Sequence, residues 1–452
     1  GHDVKTDHQV DDLGASSRSM WRQRTISRPG FLRTGPQKPR HKPGYPGRKG
    51  GLGSVYGRSM TYAPADRPFY DADSHIMELP NFLIDYADAA LRDKIRPVSY
   101  QASLVTDEEV DTIVANGSKH SPAHVEAQVA LGDQLIAESK EIQALGAFDS
   151  DDRSVAMDML GFKKQLVFAT HSVVTPFSMS SKLGDDLRYG ATRAHNRAMS
   201  DFVANDARLM GVGVVPLNNP QLAVAELEFA LEAGMEAIWV PHYAPGDMSP
   251  GHLDLYPFWE RLADSETPFV LHVGGAPLQL DPKWTHTGRP PVRDWMGGGE
   301  NVRSKDMAVM HQGPETFLSV LVMDGIFERF PKLRGASVEL GAGWVPAMIQ
   351  RLDWVVRSWS KVDQYLAELK RVPSETLREQ MAFTPFVFED VGALIDASAD
   401  DLYLFSSDYP HVEGGKDPIG RFEKSLGDRL PATRDNFYAE NFLRLFPNAR
   451  TH

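Results

Sequence analysis

Apolar and polar positions along this chain alternate between two periods. Short β-branched and aromatic runs that end in polar, Gly or Pro residues recur at 69–77 (FYDADSHIM), 165–172 (QLVFATHS), 210–217 (MGVGVVPL), 237–243 (AIWVPHY), 268–275 (PFVLHVGG), 334–341 (RGASVELG), 383–389 (FTPFVFE) and 402–410 (LYLFSSDYP). Their length and composition predict strands. Between them the apolar spacing is that of amphipathic helices, at 187–206, 220–234, 255–265, 316–330 and 345–369. Strand–helix alternation implies parallel strands covered on both faces. Eight strands in this order predict an α/β (β/α)8 TIM barrel over 66–452, with its chemistry at the strand C-termini. A doubly wound open sheet is the competing arrangement.

Two stretches interrupt the alternation: 81–160 after the first strand, acidic and helix-like, and 276–312 after the fifth, rich in Trp, Arg and Gly. Loops of such length serve as lids or binding loops, or are plain surface excursions. Ahead of the barrel, residues 1–65 read as an extended basic arm. Residues 1–60 hold twelve Lys/Arg against four Asp, so the remainder carries more than the whole chain's net charge of −13. The Gly/Pro density of 27–58 forbids a regular helix or central strand. Such composition reads as a tail without order or as an arm draped over the acidic body of a neighbouring subunit, which makes a homo-oligomer the expectation. The opening "GH" also leaves room for vector-derived residues.

The net charge argues against a nucleic-acid surface, and no apolar run reaches transmembrane length. A polar first segment without a leader pattern makes the cytoplasm the expected compartment. With no cysteine, a metal site must use His, Asp, Glu or water.

Asp71, Asp73 and His75 alternate along the first strand, so its period of two would turn all three to one face. Buried together, two carboxylates and an imidazole call for a neutralising partner, and a cation is the simplest. The predicted strand ends add His171, His242, His272, Glu339 and Asp408. A lone His on an apolar strand is usually a hydrogen-bonded core residue, and Asp408 could cap a helix or form an Asx turn; so many at one mouth point to a metal centre. Asp73, His75, His272 and Asp408 are the expected ligands, for Zn²⁺ first and Mn²⁺ or Fe²⁺ as alternatives. Asp408 would also move a proton. Glu339 and His242 would act as acid/base groups, and His171 would face the substrate. Arg289, Arg293 or Arg303 in the second insertion could clamp a carboxylate, with Arg303 the preferred one.

The segments "DADSH", "LHVGG", "DGIFERFPKL…VELGAGWVPAMIQRLD" and "FSSDYPHVEGGKDPIGRF", with "ENFLRLF" behind them, resemble the amidohydrolase-related family, the branch with aminocarboxymuconate-semialdehyde and aromatic-acid decarboxylases. The resemblance spans about 66–450 and leaves out residues 1–60. It implies a metal-dependent (β/α)8 barrel with Asp73 and His75 as the first-strand pair, often H-x-H in the family, His272 from the fifth strand and Asp408 from the eighth. Decarboxylase-type members carry a His after strand six in a segment like "HGGG"; this chain has "VELGAGW" and Glu339. No Lys stands in "AIWVPHY" to bridge two metals, so one ion is expected.

The first expectation is therefore a hydrolase whose metal-activated water attacks a carbonyl-type carbon of a small, carboxylate-bearing or aromatic substrate. Its alternative is a non-oxidative decarboxylase of an aromatic or unsaturated acid. A barrel that binds a small acid without turnover is the third.

Overall fold

The computed structural model describes residues 61–450 apart from 101–103, 181, 278–279, 291, 293 and 295–301. Expectations about the basic arm therefore lie almost wholly outside the described residues, as does Arg293.

The strands are apolar runs buried on both sides. In chain order they are β1 (Tyr70–Asp71), β2 (His75–Ile76), β3 (Lys164–Ala169), β4 (Leu209–Val214), β5 (Ala237–Trp239), β6 (Phe269–His272), β7 (Gly335–Val338) and β8 (Met381–Phe383). All pair in parallel in the order β1–β3–β4–β5–β6–β7–β8, with β2 also on β3. The predicted eighth strand, 402–410, is extended backbone joined by two isolated bridges, Phe383 to Tyr403 on one side and Ser74 to Tyr409 on the other. Hydrogen bonds from Leu404 N to Phe383 O, Ala72 N to Phe405 O and Asp408 N to Asp73 O carry the sheet round from β8 to the first strand. That closure is the TIM-barrel arrangement.

Period-two alternation separates two cores. Leu166, Phe168, Met210, Val212, Val214, Trp239, Val270, Val338 and Leu404 form one cluster, the barrel interior. Their neighbours Val167, Leu209, Ile238, Phe269, Leu271, Phe383 and Tyr403 pack instead with helix residues such as Leu227, Phe258, Trp259, Leu318 and Met348. Each strand thus has two apolar faces, which is why the runs are continuous rather than alternating.

The crossover helices include Ser150–Leu160, Asp185–Val203, Pro220–Glu232 and Tyr256–Ser265. Two expected helices are each divided. Residues 316–330 fall in Gln312–Met323 and Ile326–Arg329, separated at Gly325, whose φ of +70° ends the first helix. Residues 345–369 split into Val345–Trp359 and Gln364–Glu368, because the Asp363 carboxylate caps Tyr365 N and Leu366 N and starts a new helix there. Within 81–160 the helices are short; Asp107–Ala115 begins with a capping box between Thr106 and Glu109. No helix among the described residues is long and apolar enough to cross a membrane.

Candidate metal centre

The first strand does not keep its period. β1 ends at Asp71 and β2 begins at His75, and the break at 72–74 sends Asp71 away from the other two. Asp71 is buried in a different role: it accepts from Ser407 N at 2.8 Å, Ser407 Oγ at 2.6 Å and Gln165 Nε2 at 2.7 Å. Burial pushes its carboxyl up to about 7. Asp71 therefore fixes the backbone just before Asp408. Arg153, also buried, braces the same strand by donating to Ser74 Oγ at 2.8 Å and His75 O at 3.0 Å.

Beyond the break the strand ends converge. Ligand atoms of Asp73, His75, His272 and Glu339 lie within 4.8 Å of one another, and so do those of His75, Glu339, Asp408 and His411; all are buried. Asp73 Oδ1 is 3.3 Å from both His75 Nε2 and His272 Nε2. Glu339 Oε2 is 3.2 Å from His272 Nε2 and 3.6 Å from His75 Nε2. Asp408 Oδ1 is 3.7 Å from His75 Nε2 and 3.1 Å from His411 Nδ1. Donors bound to one ion at about 2.1 Å stand roughly 3.0–3.4 Å apart at octahedral or tetrahedral angles. Four of the separations fit that spacing, and the two from His75 Nε2 to Glu339 and Asp408, at 3.6 and 3.7 Å, are slightly wider.

The rings are turned for ligation. His75 Nδ1 lies 3.2 Å from Ala169 O and His272 Nδ1 2.9 Å from Val273 O. Each Nδ1–H thus donates outward and leaves Nε2 with its lone pair directed inward. His75 Nε2, Asp408 Oδ1 and His411 Nδ1 are buried with no hydrogen-bond partner. Three carboxylates share this space, and burying them without a cation would be strongly unfavourable. Burial alone would raise Asp73, but the His272 and His75 imidazoles outweigh it and hold the carboxyl well below its usual range. Burial would likewise depress His75, yet Asp73 and Glu339 raise it. Asp408 is pushed up to about 7 by burial and by the Asp73 charge. The residues present fit a divalent ion.

Backbone strain falls at the same place. Glu339 and Asp408 have φ of 53° and 54°, the left-handed region that non-glycine residues seldom occupy.

Asp73, His75, His272, Glu339 and Asp408 are therefore brought together. His242 is buried nearby, its Nδ1 without a partner. Burial and the neighbouring His272 lower it to about 3, so it is a neutral imidazole. It belongs to neither group of four donors. His171 also stands apart: its backbone N–H donates to Glu78 and its ring meets Tyr100 edge-on at 5.3 Å. Arg303 is engaged by Asp306 in a two-point pair of 2.5 and 3.0 Å, and Arg289 is exposed. His411 was not among the expected site residues. Its ring stacks on His75 at 3.9 Å, and its Nε2 lies 3.0 Å from Thr170 Oγ1. The signal was present in "SSDYPH", three residues beyond Asp408.

The amidohydrolase family profile matches residues 70–447. The γ-resorcylate decarboxylase of Polaromonas sp. strain JS666 is 26% identical over 310 residues, which span 66% of this chain and 88% of that protein. Among solved structures, an amidohydrolase from Mycobacterium avium subsp. paratuberculosis K-10 superposes with a TM-score of 0.63 at 19% identity, covering 85% of this chain and 100% of that one. The 5-carboxyvanillate decarboxylase of Novosphingobium aromaticivorans, solved with manganese and 4-hydroxy-3-methoxy-5-nitrobenzoic acid, gives 0.57 at 16% identity, covering 86% and 99%.

Proposed function

Because the chain belongs to the amidohydrolase family, a family of metal-dependent enzymes that includes carboxy-lyases, we propose that it is a non-oxidative decarboxylase of a hydroxylated aromatic acid. The supporting observation is that the sequence relative with a stated activity is a decarboxylase and aligns over nearly its whole length. This replaces hydrolysis as the leading reaction.

Asp73, His75, His272 and Asp408, the expected ligands, would hold the single cation together with Glu339, whose carboxylate belongs to both groups of converging donors whereas Asp408 shares a group with His75, Glu339 and His411. When bound, the cation supplies positive charge that orients the substrate's carboxylate and adjacent hydroxyl. The donor set suits manganese as well as zinc, because it contains oxygen and imidazole nitrogen and no thiolate. Asp408 carries the proton. As the bond to the departing carbon dioxide breaks, its electron pair stays on the ring carbon, which takes that proton. Asp408 is buried, which shields the proton it carries from bulk water. His242, neutral and without a partner at Nδ1, is the proposed polar contact for the ring's far side. Arg303 would need to leave Asp306 before it could bind a carboxylate, so recognition falls to the cation.

One observation favours hydrolysis as a second reading: Glu339, an acid/base group, stands where decarboxylase-type relatives are expected to carry His. Metal-loaded protein offered 2,6-dihydroxybenzoate, 5-carboxyvanillate and a set of aryl esters and lactones separates the two. Carbon dioxide release with formation of the arene is expected. Ester or lactone cleavage without any carbon dioxide would overturn the proposal.

A further inference from the structure

The insertion between β2 and β3 reaches back to the segment that carries Asp408. Lys140 Nζ donates to His411 O at 3.0 Å and to Gly415 O at 2.8 Å. Glu141 N donates to Pro410 O at 2.9 Å, and Glu141 Oε1 accepts from Val412 N at 3.1 Å. The Tyr409 hydroxyl lies 3.3 Å from Ser139 Oγ and donates to Leu145 O at 2.8 Å. Each of the four residues that follow Asp408 is thus held by the stretch 139–145.

Two features set this contact apart from ordinary loop packing. Glu141 has a φ of 52°, so the insertion holds it in the same left-handed conformation as Asp408 and Glu339. Such a conformation persists in a non-glycine residue only where its surroundings impose it. Glu141 Oε2 is moreover buried with no hydrogen-bond partner. Burial pushes the carboxyl up to about 7.

We propose that residues 139–145 form a positioning clamp, in which Lys140 and Glu141 fix the turn 408–412 so that Asp408 and His411 face His75, and thereby set the affinity of the centre for its cation. Lys140 and Glu141 act through the turn and do not themselves touch the ion. The proposal rests on the metal centre described above and is independent of which acid is the substrate.

The test is calorimetric titration of chelator-stripped full-length protein with Mn²⁺, well below the unfolding temperature. Lys140→Met and Glu141→Ala are expected to weaken binding ten- to hundred-fold, the scale seen when the groups that orient metal ligands are lost. Lys140→Arg and Glu141→Gln, which keep the donor to the carbonyls and the acceptor for Val412 N, should return to within about three-fold of wild type. Glu141→Asp guards against outright unfolding, because it keeps the charge but withdraws the oxygen from Val412; an intermediate loss is expected. Val110→Ala, in the core of helix Asp107–Ala115 of the same insertion, should lower thermal stability and leave Mn²⁺ affinity unchanged. Wild-type affinity in Lys140→Met, Glu141→Ala and Glu141→Asp overturns the clamp, as does an equal loss in Val110→Ala. Absence of Mn²⁺ binding by the wild type would instead overturn the metal centre itself, and the clamp with it.

Discussion

Two buried polar clusters meet at the end of β3, and they differ in what their atoms still lack. One is the metal centre. The other joins Glu78, Ser172, His195, Asn196 and Glu226, all buried. In this second cluster the bonds close on themselves. Glu78 accepts from the backbone N–H of Thr170, His171 and Ser172 at 3.1, 3.0 and 2.9 Å. Ser172 Oγ is 3.0 Å from His195 Nδ1, and His195 Nε2 is 3.4 Å from Val212 O. Asn196 exchanges bonds with both backbone groups of Val214 and donates to Glu226, which Arg193 also binds. None of the five has a left-handed backbone. At the metal centre His75 Nε2, His411 Nδ1 and Asp408 Oδ1 have no hydrogen-bond partner, and two residues are strained. Thr170 stands between the two, its N–H on Glu78 and its Oγ1 beside His411. Burial of polar side chains is common to both; unmet bonding capacity converging from distant segments is what marks a binding site.

That contrast breaks most visibly at Asp408. Asp408→Asn should lower turnover roughly 10²- to 10⁴-fold, the range for a lost proton carrier, while circular dichroism stays that of the wild type. Turnover near the wild-type rate would remove Asp408 from the proton path. Next in size, His272→Ala should weaken metal binding at least the roughly 10- to 100-fold known for outer groups. Full metal occupancy after dialysis would strike His272 from the ligand set. The satisfied cluster should respond the opposite way. Glu78→Ala leaves three backbone N–H groups without their acceptor, so denaturant unfolding should show a loss of about 3 kcal/mol or more, with metal content unchanged. If metal goes with stability there, the two clusters are one.

How far these differences could be read from the chain depends on the range of the interaction. The barrel is legible because strands such as 209–214 and 269–272, covered on both faces, leave unbroken apolar runs. Asp73, His75, His272, Glu339 and Asp408 are legible because a polar residue ending such a run stands out. The break at 72–74 is not: Asp71 looks in register with Asp73, and its bonds to Gln165 and to Ser407, the latter more than 300 residues away, take it elsewhere. His411 follows a turn, where no periodicity indicates direction. The contact of 139–145 with 409–412 carries no local signal at all, since neither stretch has a repeating pattern. Two helices read as continuous fail at Gly325 and Asp363, where a left-handed glycine and a capping carboxylate outweigh apolar spacing.

The smallest effect tests the satisfied cluster from its chemistry rather than by removing its bonds. Burial lowers His195 from its ordinary 6.5 to about 4, so the folded protein keeps this imidazole neutral. Between those values the unfolded chain binds a proton that the folded chain does not, and stability must fall as pH falls. The contribution is complete above pH 6.5 and gone below about 4, at a slope of about 1.4 kcal/mol per pH unit. Other buried groups titrate in the same window, so the quantity to measure is a difference: unfolding free energy of wild type minus that of His195→Gln at pH 6 and at pH 5. The wild type should lose about 1.2 kcal/mol more than the variant over that unit, slightly under the limiting slope because the unfolded imidazole is not fully protonated at pH 6. Parallel curves would mean that His195 is already protonated in the folded state, hence that its bonds to Ser172 and Val212 are not those of a neutral ring, and the closed cluster would need its protons reassigned.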